Sequence, residues 1–412
     1  MKYGCIGERL KHSFSKEIHN TLADYEYELR EIEKEALSDF LLEKDFLAIN
    51  VTIPYKEAII PYLYEIDGHA SEIGAVNTVI NRDGNLYGYN TDFYGLSRLI
   101  AHAGVEIKGK KVVILGTGGT SKTALAVSRA LGAREIIRAS RTAREDAVSY
   151  GEVYERHIDA EVIINTTPVG MFPSVFDCPI DISRFDSLSG VIDAVYNPLR
   201  TELVLSARER GVSAEGGLYM LVAQAERASE IFIDTCYSDE VCDRVFNKVK
   251  RAKENVVLIG MPASGKSTVG ALLAKKYSRE LIDTDSLIAE KAKKSIPEIF
   301  AEDGEAVFRD LESEVIREIA SRTEVIIATG GGAPLRPENM RELRKNGRIY
   351  FIDRPLGELI PTDDRPLSRT RGEIEKRYDE RYAVYTAEAD ERIPVSGDAA
   401  SVAERIIRSF EK

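Results

Sequence analysis

Short apolar runs punctuate the chain, and helical spacing follows most of them. Val112-Val113-Ile114-Leu115 leads into Thr120 to Leu131, and Val256-Val257-Leu258-Ile259 leads into Thr268 to Lys276, each reading as strand, loop and helix. Upstream, Leu47 to Ile53 and Ala75 to Asn81 read as strands set among helices; downstream, Glu135 to Ala139 and Val325-Ile326-Ile327-Ala328 read as further strands. Thr201 to about Lys250 predicts a helical stretch, and Ala399 to Phe410 an amphipathic helix. This alternation predicts an α/β fold throughout. Changes of pattern divide the chain into residues 1–105, residues 106–250, entered at Gly109-Lys110-Lys111, and residues 254–412, with the charged segment Lys248 to Asn255 as the joint.

The length of 412 residues, 43% of them hydrophobic, allows two or three domains with ordinary cores. No apolar run is long enough to span a bilayer, and Met1-Lys2-Tyr3-Gly4-Cys5-Ile6-Gly7 lacks a signal-peptide layout. Cys5, Cys178, Cys236 and Cys242 fall into no metal spacing and form no C-x-x-C pair, so the expected setting is a reducing cytoplasm. A net charge of −12 argues against a nucleic-acid partner. Anionic ligands must then be met by local Arg and Lys.

Two glycine loops carry the chemistry. Gly260-Met261-Pro262-Ala263-Ser264-Gly265-Lys266-Ser267, between strand and helix, has the P-loop arrangement. Its backbone N–H groups and the helix N-terminus cradle phosphate, Lys266 supplies a mobile cation, and Ser267 can hold Mg²⁺, so a nucleoside triphosphate is the expected ligand. Gly116-Thr117-Gly118-Gly119 is a Rossmann-type turn shifted to G-x-G-G, a pattern that also joins strands to helices without a cofactor. The following strand ends in Ser140-Arg141-Thr142 rather than in Asp or Glu, which favours NADP over NAD.

Polar clusters mark the first block: Lys11-His12-Ser13-Phe14-Ser15, Asn50-Val51-Thr52-Ile53-Pro54-Tyr55-Lys56, Gly74-Ala75-Val76-Asn77-Thr78 and Asn90-Thr91-Asp92. Singly, each has a local account as helix cap, turn or solvated charge. In this order and at about these separations they resemble the H-S-x-S, N-V-T-x-P-x-K, G-A-x-N-T and N-T-D motifs of the shikimate dehydrogenase family. The resemblance continues through Asn165-Thr166-Thr167-Pro168, Asp193 to Thr201 and Gly216 to Ala225. It implies an α/β substrate domain, a Rossmann domain whose C-terminal helices return to the substrate domain, and reversible reduction of 3-dehydroshikimate by NADPH. Carried over, Lys56 and Asp92 are the catalytic pair. Ser13, Ser15, Thr52, Asn77, Tyr196 and Gln224 hold the substrate, and Gly116, Gly118, Gly119, Ser140, Arg141, Thr142 and Gly217 hold the cofactor. A ketone receiving hydride develops charge on oxygen, so a proton donor must stand within hydrogen-bond reach, and a Lys held by an Asp suits this. Which of the two hands over the proton stays open. Lys16 stands at a usual Pro, Gly-Thr-Gly-Gly-Thr replaces Gly-Ala-Gly-Gly-Ala, Ser140 replaces Asn, and Glu145 falls where a second basic residue often follows Arg-Thr.

In the last block, Asp283-Thr284-Asp285, Gly304-Glu305, Phe308-Arg309, Glu312, Thr329-Gly330-Gly331-Gly332, Arg365-Pro366-Leu367 and Arg381 join the P-loop in resembling shikimate kinase, a P-loop domain of nucleoside-monophosphate-kinase type. The resemblance implies that Asp285, Arg309, Gly331, Gly332 and Arg381 bind shikimate, and that Gly260, Ala263, Ser264, Gly265, Lys266, Ser267 and Thr268 bind ATP. It further gives Lys266 and Arg365 to the transferring phosphoryl group, Ser267 and Asp283 to Mg²⁺, and Asp285 to the attacking hydroxyl. The stretch from Arg354 to Arg365 is shorter than in many such kinases. Together the halves imply a bifunctional enzyme that makes shikimate and then phosphorylates it, two steps toward chorismate and the aromatic amino acids, with oligomeric state open. The alternatives are a quinate dehydrogenase fused to a different small-metabolite kinase, a ligand-sensing regulator built from these folds, and a chain with one half a remnant. Ser140-Arg141 speaks against the first, and retention of Lys56, Asp92, Lys266, Asp285 and Arg365 against the others.

Overall fold

The computed structural model describes residues 1–10, 14–238, 240–360 and 370–412. These form two compact units, Met1–Lys250 and Arg251–Lys412. The first contains two six-stranded sheets and the second one five-stranded sheet.

The first sheet is mixed. Its strands are β1 (Tyr3–Gly7), β2 (Tyr27–Glu31), β3 (Ala48–Val51), β4 (Glu65–Ile66), β5 (Thr78–Arg82) and β6 (Asn85–Tyr89), in the order β2-β1-β3-β5-β6-β4. β1 pairs in parallel with β2 and β3, whereas β5 runs antiparallel to its neighbours β3 and β6. Ile6, Ile49, Val51, Val79 and Leu86 join Phe40 and Leu41 in the core behind this sheet. β5 starts three residues later than the apolar pattern predicts, because Val76 N–H donates to the Lys56 carbonyl and Asn77 N–H to that of Tyr89. That detour takes Asn77 out of the strand and into the cleft.

The second sheet is wholly parallel, with β7 (Lys111–Leu115), β8 (Glu135–Ser140), β9 (Val148–Ser149), β10 (Val162–Asn165), β11 (Gly190–Asp193) and β12 (Ser213–Glu215) ordered β12-β11-β10-β7-β8-β9. The order reverses beside β7, at the carboxyl end of which dinucleotides bind in doubly wound sheets. β7 is buried along its whole length, as a strand covered by helices on both faces must be.

The expected helical stretch from Thr201 to Lys250 is three helices, Glu202–Glu209, Leu218–Ile233 and Glu240–Lys253, broken by β12. Gly211 with φ +72° turns the chain after the first helix, and Ser213–Glu215 then finds an open sheet edge on β11, so pairing overrides helical spacing. The two later helices pack with helix Thr91–His102 into a core shared with β7 and β10, including Leu96, Leu99, Val112, Ile164, Val222 and Phe246. At Gly95 the helices approach so closely that a Cβ would lie 2.7 Å from the Met220 carbonyl and 3.0 Å from Cβ of Gln224.

The second unit is a parallel sheet of β13 (Asn255–Ile259), β14 (Leu281–Asp283), β15 (Ile326–Ala328), β16 (Gly347–Asp353) and β17 (Glu391–Pro394), in the order β14-β15-β13-β16-β17. β13 is central and fully buried, and its carboxyl end delivers the P-loop to helix Lys266–Tyr277. Helix Ala399–Phe410 covers one face through Val402, Ile406 and Phe410, as its amphipathic pattern predicts.

Candidate active sites

In the first unit a cleft of about 840 Å³ is lined by Ser15, Thr52, Lys56, Asn77, Tyr196 and Gln224, together with Asn50 and Met171. Lys56 and Asp92 form an ion pair at 2.6 Å, with the Asp92 side chain only 5% exposed. Asp92 is in the first turn of helix Thr91–His102, where the N-terminal end of the helix favours a carboxylate. Asn90 caps that helix, its Oδ1 accepting from Phe93 N–H at 3.2 Å, and its amide donates to the Ala75 carbonyl at 2.8 Å.

Asn77 is locked in one orientation. Its Oδ1 accepts from Thr91 N–H at 2.8 Å and Thr78 Oγ1 at 3.1 Å, which leaves Nδ2 donating to Gln224 Oε1 at 3.2 Å. Tyr196 packs edge-on against Phe14, with ring centroids 5.2 Å apart. Beneath lies a network that sequence reasoning missed. Tyr27 donates to Asn50 Oδ1 at 2.8 Å and stacks on His19, with centroids 3.9 Å apart. Burial pushes the His19 pKa down to about 3 and the Cys5 thiol up to about 12, so both line the cleft uncharged near neutrality. The only sign of this network in the sequence is aromatic residues in a short strand, which read as core. Ser13 lies outside the described residues.

The dinucleotide end of this unit is open. Gly116, with φ +112°, packs against Thr166, while a Cβ at Gly118 or Gly119 would meet nothing within 4 Å. Helix Gly119–Ala130 has no side-chain cap; Ser121 and Lys122 N–H donate to the Gly118 carbonyl, and the open space at Gly118 and Gly119 lets a pyrophosphate approach the N-terminal end of the helix. Gly217 N–H donates to the Val195 carbonyl at 2.8 Å and starts helix Leu218–Ile233, which carries Gln224. Ser140 directs its hydroxyl to the Thr142 carbonyl, and Arg141 is exposed at the end of β8.

The second unit has a cleft of about 460 Å³ bounded by the P-loop, Asp283, Asp285, Arg309, Gly331, Gly332 and Arg381. Gly265 has φ +98° and turns the loop into its helix, with Ala263 at φ +65° before it. Lys266 Nζ donates to the Gly260 and Met261 carbonyls at 2.9 and 3.0 Å. Ser267 Oγ donates to Asp283 Oδ2 at 2.7 Å, while Asp283 Oδ1 caps helix Thr284–Ala292 through Asp285 and Ser286 N–H groups. This pair of hard oxygens beside the phosphate loop fits Mg²⁺ chemistry.

Across the cleft, Arg309 is held by Glu312 at 2.7 Å and Glu305 at 3.2 Å. Glu312 is wholly buried and its pKa is raised by burial, against which Arg309 acts. Arg381 donates to the Gly331 carbonyl at 3.0 Å, and Tyr385 donates to the same oxygen at 2.5 Å. Arg377, one turn before Arg381, also lines the cleft; burial first and Arg381 second push its pKa down. Sequence reading passed over Arg377, which in a charged helix looks like part of the solvated face. Arg365 lies outside the described residues.

Fold and clefts thus define a two-unit α/β protein with a dinucleotide-type sheet in one unit and a phosphate-binding P-loop in the other. Residues 5–79 match the family model of the shikimate dehydrogenase substrate binding domain, and residues 262–411 that of shikimate kinase. Among curated relatives, the NADP(+) shikimate dehydrogenase of Clostridium beijerinckii is 37% identical over 245 residues, covering 56% of this chain and 91% of the relative. Shikimate dehydrogenase 1 of Peptoclostridium difficile superposes with a TM-score of 0.56 at 37% identity, covering 60% of this chain and 98% of that one. A chorismate mutase/shikimate 5-dehydrogenase fusion protein from Clostridium acetobutylicum gives 0.57 at 35% identity, covering 60% and 96%. The chain belongs to the shikimate dehydrogenase family and carries a shikimate kinase domain as its second unit.

Proposed function

We propose that the first unit reduces 3-dehydroshikimate to shikimate with NADPH and that the second phosphorylates shikimate with ATP to shikimate 3-phosphate, two consecutive steps toward chorismate. The observation that carries this reading is the pairing, in one chain, of the Lys56–Asp92 cleft with a P-loop cleft that already holds Arg309 and Arg381 in place. A cytoplasmic setting accords with the substrates. Among the described residues no helix is long and apolar enough to cross a membrane.

In the dehydrogenase cleft, bound NADPH supplies the hydride. Lys56, fixed by Asp92, stands where a developing alkoxide needs a positive hydrogen-bond donor and a proton. Ser15, Thr52, Asn77, Tyr196 and Gln224 orient the carboxylate and ring hydroxyls. The lock on Asn77 by Thr91 and Thr78 ensures that it presents N–H to the cleft rather than oxygen.

In the kinase cleft, Arg309 and Arg381 grip the carboxylate, for which a guanidinium fork is geometrically suited. Asp285 orients the attacking hydroxyl, and Lys266 leaves its loop carbonyls for the phosphates. Ser267 and Asp283 would hold Mg²⁺, which neutralises phosphate oxygens when bound.

Purified protein given 3-dehydroshikimate, NADPH and MgATP, with Lys56→Ala and Lys266→Ala alongside, tests the assignment. Wild type should consume NADPH and form ADP. Lys56→Ala should lose only the reduction, with ADP formation restored by added shikimate, and Lys266→Ala only the phosphorylation. NADPH loss with no ADP at any shikimate concentration would leave the second unit with another substrate.

A further inference from the structure

Two arginines mark the end of β8, Arg138 within the strand and the exposed Arg141 just beyond it, and Arg138 reaches the glycine loop. Arg138 lies two residues before Ser140 on the same face of the strand, among Ile136, Ile137 and Ala139. Its Nε donates to Ser121 Oγ at 3.2 Å and its Nη2 to the Thr117 carbonyl at 3.3 Å, while Nη1 pairs with Asp146 at 2.5 Å. Ser121 Oγ in turn donates to the Gly116 carbonyl at 2.7 Å. The guanidinium therefore bridges the glycine loop and the strand end, the two elements between which the adenosine ribose lies in this fold.

A charged side chain only 11% exposed between Ile137 and Ala139 needs a strong ionic partner, and Asp146 is a weak one, with its own side chain 62% exposed. Glu145 stands beside it where a basic residue could have served. We propose that Arg138 is the second cation of the NADP 2′-phosphate site, partnering Arg141, and that Asp146 occupies the guanidinium until the phosphate replaces it. This rests on the NADP-dependent reading of the first unit. A phosphate carrying nearly two charges outcompetes one exposed carboxylate for a planar guanidinium donor. Asp146 thus acts as a discriminator, since NADH brings nothing to displace it.

Steady-state KM and kcat for NADPH and NADH are measured for wild type, Arg138→Gln, Arg138→Lys, Arg141→Ala and Asp146→Asn, with thermal unfolding of the first unit and kcat with saturating NADH as the folding controls. Arg138→Gln should raise KM for NADPH about tenfold or more and move that for NADH far less, as expected for loss of a charge-assisted bond. Arg138→Lys should recover part of the loss, and Asp146→Asn should lower KM for NADPH. Equal losses with both cofactors in Arg138→Gln would make Arg138 a strut for the glycine loop and overturn the proposal, as would weaker NADPH binding in Asp146→Asn. If Arg141→Ala loses NADPH preference and Arg138→Gln keeps it, Arg138 alone is misassigned. If wild type itself does not discriminate, the NADP reading falls with it.

Discussion

Gly332→Ala tests the place of Arg309 in the kinase cleft. Gly332 has φ −104° and ψ −10°, a conformation open to alanine, so the substitution adds no backbone strain. What it adds is a methyl group in the volume of the Arg309 guanidinium. The end of a flexible side chain yields before the backbone does, so Arg309 must leave its place, and it can do so only by breaking the 2.7 Å pair with Glu312. Loss of that charged hydrogen bond costs roughly 1.5–3 kcal/mol, and a buried carboxylate left charged and alone would cost roughly 3–5 kcal/mol. Burial holds the Glu312 pKa up and Arg309 pulls it down, so departure of Arg309 moves the carboxyl further toward its neutral form and the lost hydrogen bond sets the scale of the cost. The expected result is a second unit destabilised by about 2 kcal/mol. With one arginine turned away from the carboxylate, KM for shikimate should rise on the order of 10- to 100-fold in an ADP-release assay, and kcat should change less. NADPH oxidation by the same preparation should match wild type. A KM within about twofold of wild type in a folded variant would refute the placement of Arg309 at the carboxylate.

Gly95→Ala should do the converse. Its methyl would lie 2.7 Å from the Met220 carbonyl, a backbone atom that cannot step aside, so helices Thr91–His102 and Leu218–Ile233 must separate. Overpacking of this kind costs about 1–3 kcal/mol, and because Asp92 and Gln224 ride on these helices, dehydrogenase KM should rise while kinase kinetics hold; thermal unfolding and both assays check it. Asp193 is fully buried, and burial raises its pKa from 3.8 to about 6 against the bonds from Thr201, Val195 and Asn165. Because the folded state keeps that proton longer, its contribution is full below about pH 4 and is lost as pH rises through 6, roughly 3 kcal/mol over the shift. Asp193→Asn should flatten this part of the stability–pH curve, measured by denaturant unfolding of the chain between pH 4 and 8.

Much of this architecture is written in local pattern. β7 and β13 read as apolar runs because a central parallel strand is covered on both faces, and helix Ala399–Phe410 is visible because one face alone is buried. β12 escaped notice because three residues have no periodicity of their own and become a strand only by meeting β11. The site shows the same division. Lys56, Asp92, Lys266 and Arg309 stand in ordered motifs, whereas Arg138 and Arg377 gain meaning only when the strand is laid beside the glycine loop and the helix is turned toward Arg381. A charge in the sequence carries no mark of which face it takes.

The two clefts are built to hold the same molecule, yet they are charged differently, and the chemistry explains why. The reduction develops charge on a single oxygen, and its cleft sets the Lys56–Asp92 pair among neutral groups such as Ser15, Thr52, Asn77 and Gln224, with Glu8, Arg9, Glu31 and Glu33 also on its lining. Phosphoryl transfer must hold the carboxylate of one substrate and the phosphates of the other while charge moves between oxygens, and its cleft gathers Lys266, Arg309, Arg377 and Arg381 on a chain of net charge −12. Carrying both clefts in one polypeptide puts the two activities in fixed one-to-one proportion, so shikimate is drawn forward by its phosphorylation at the expense of ATP.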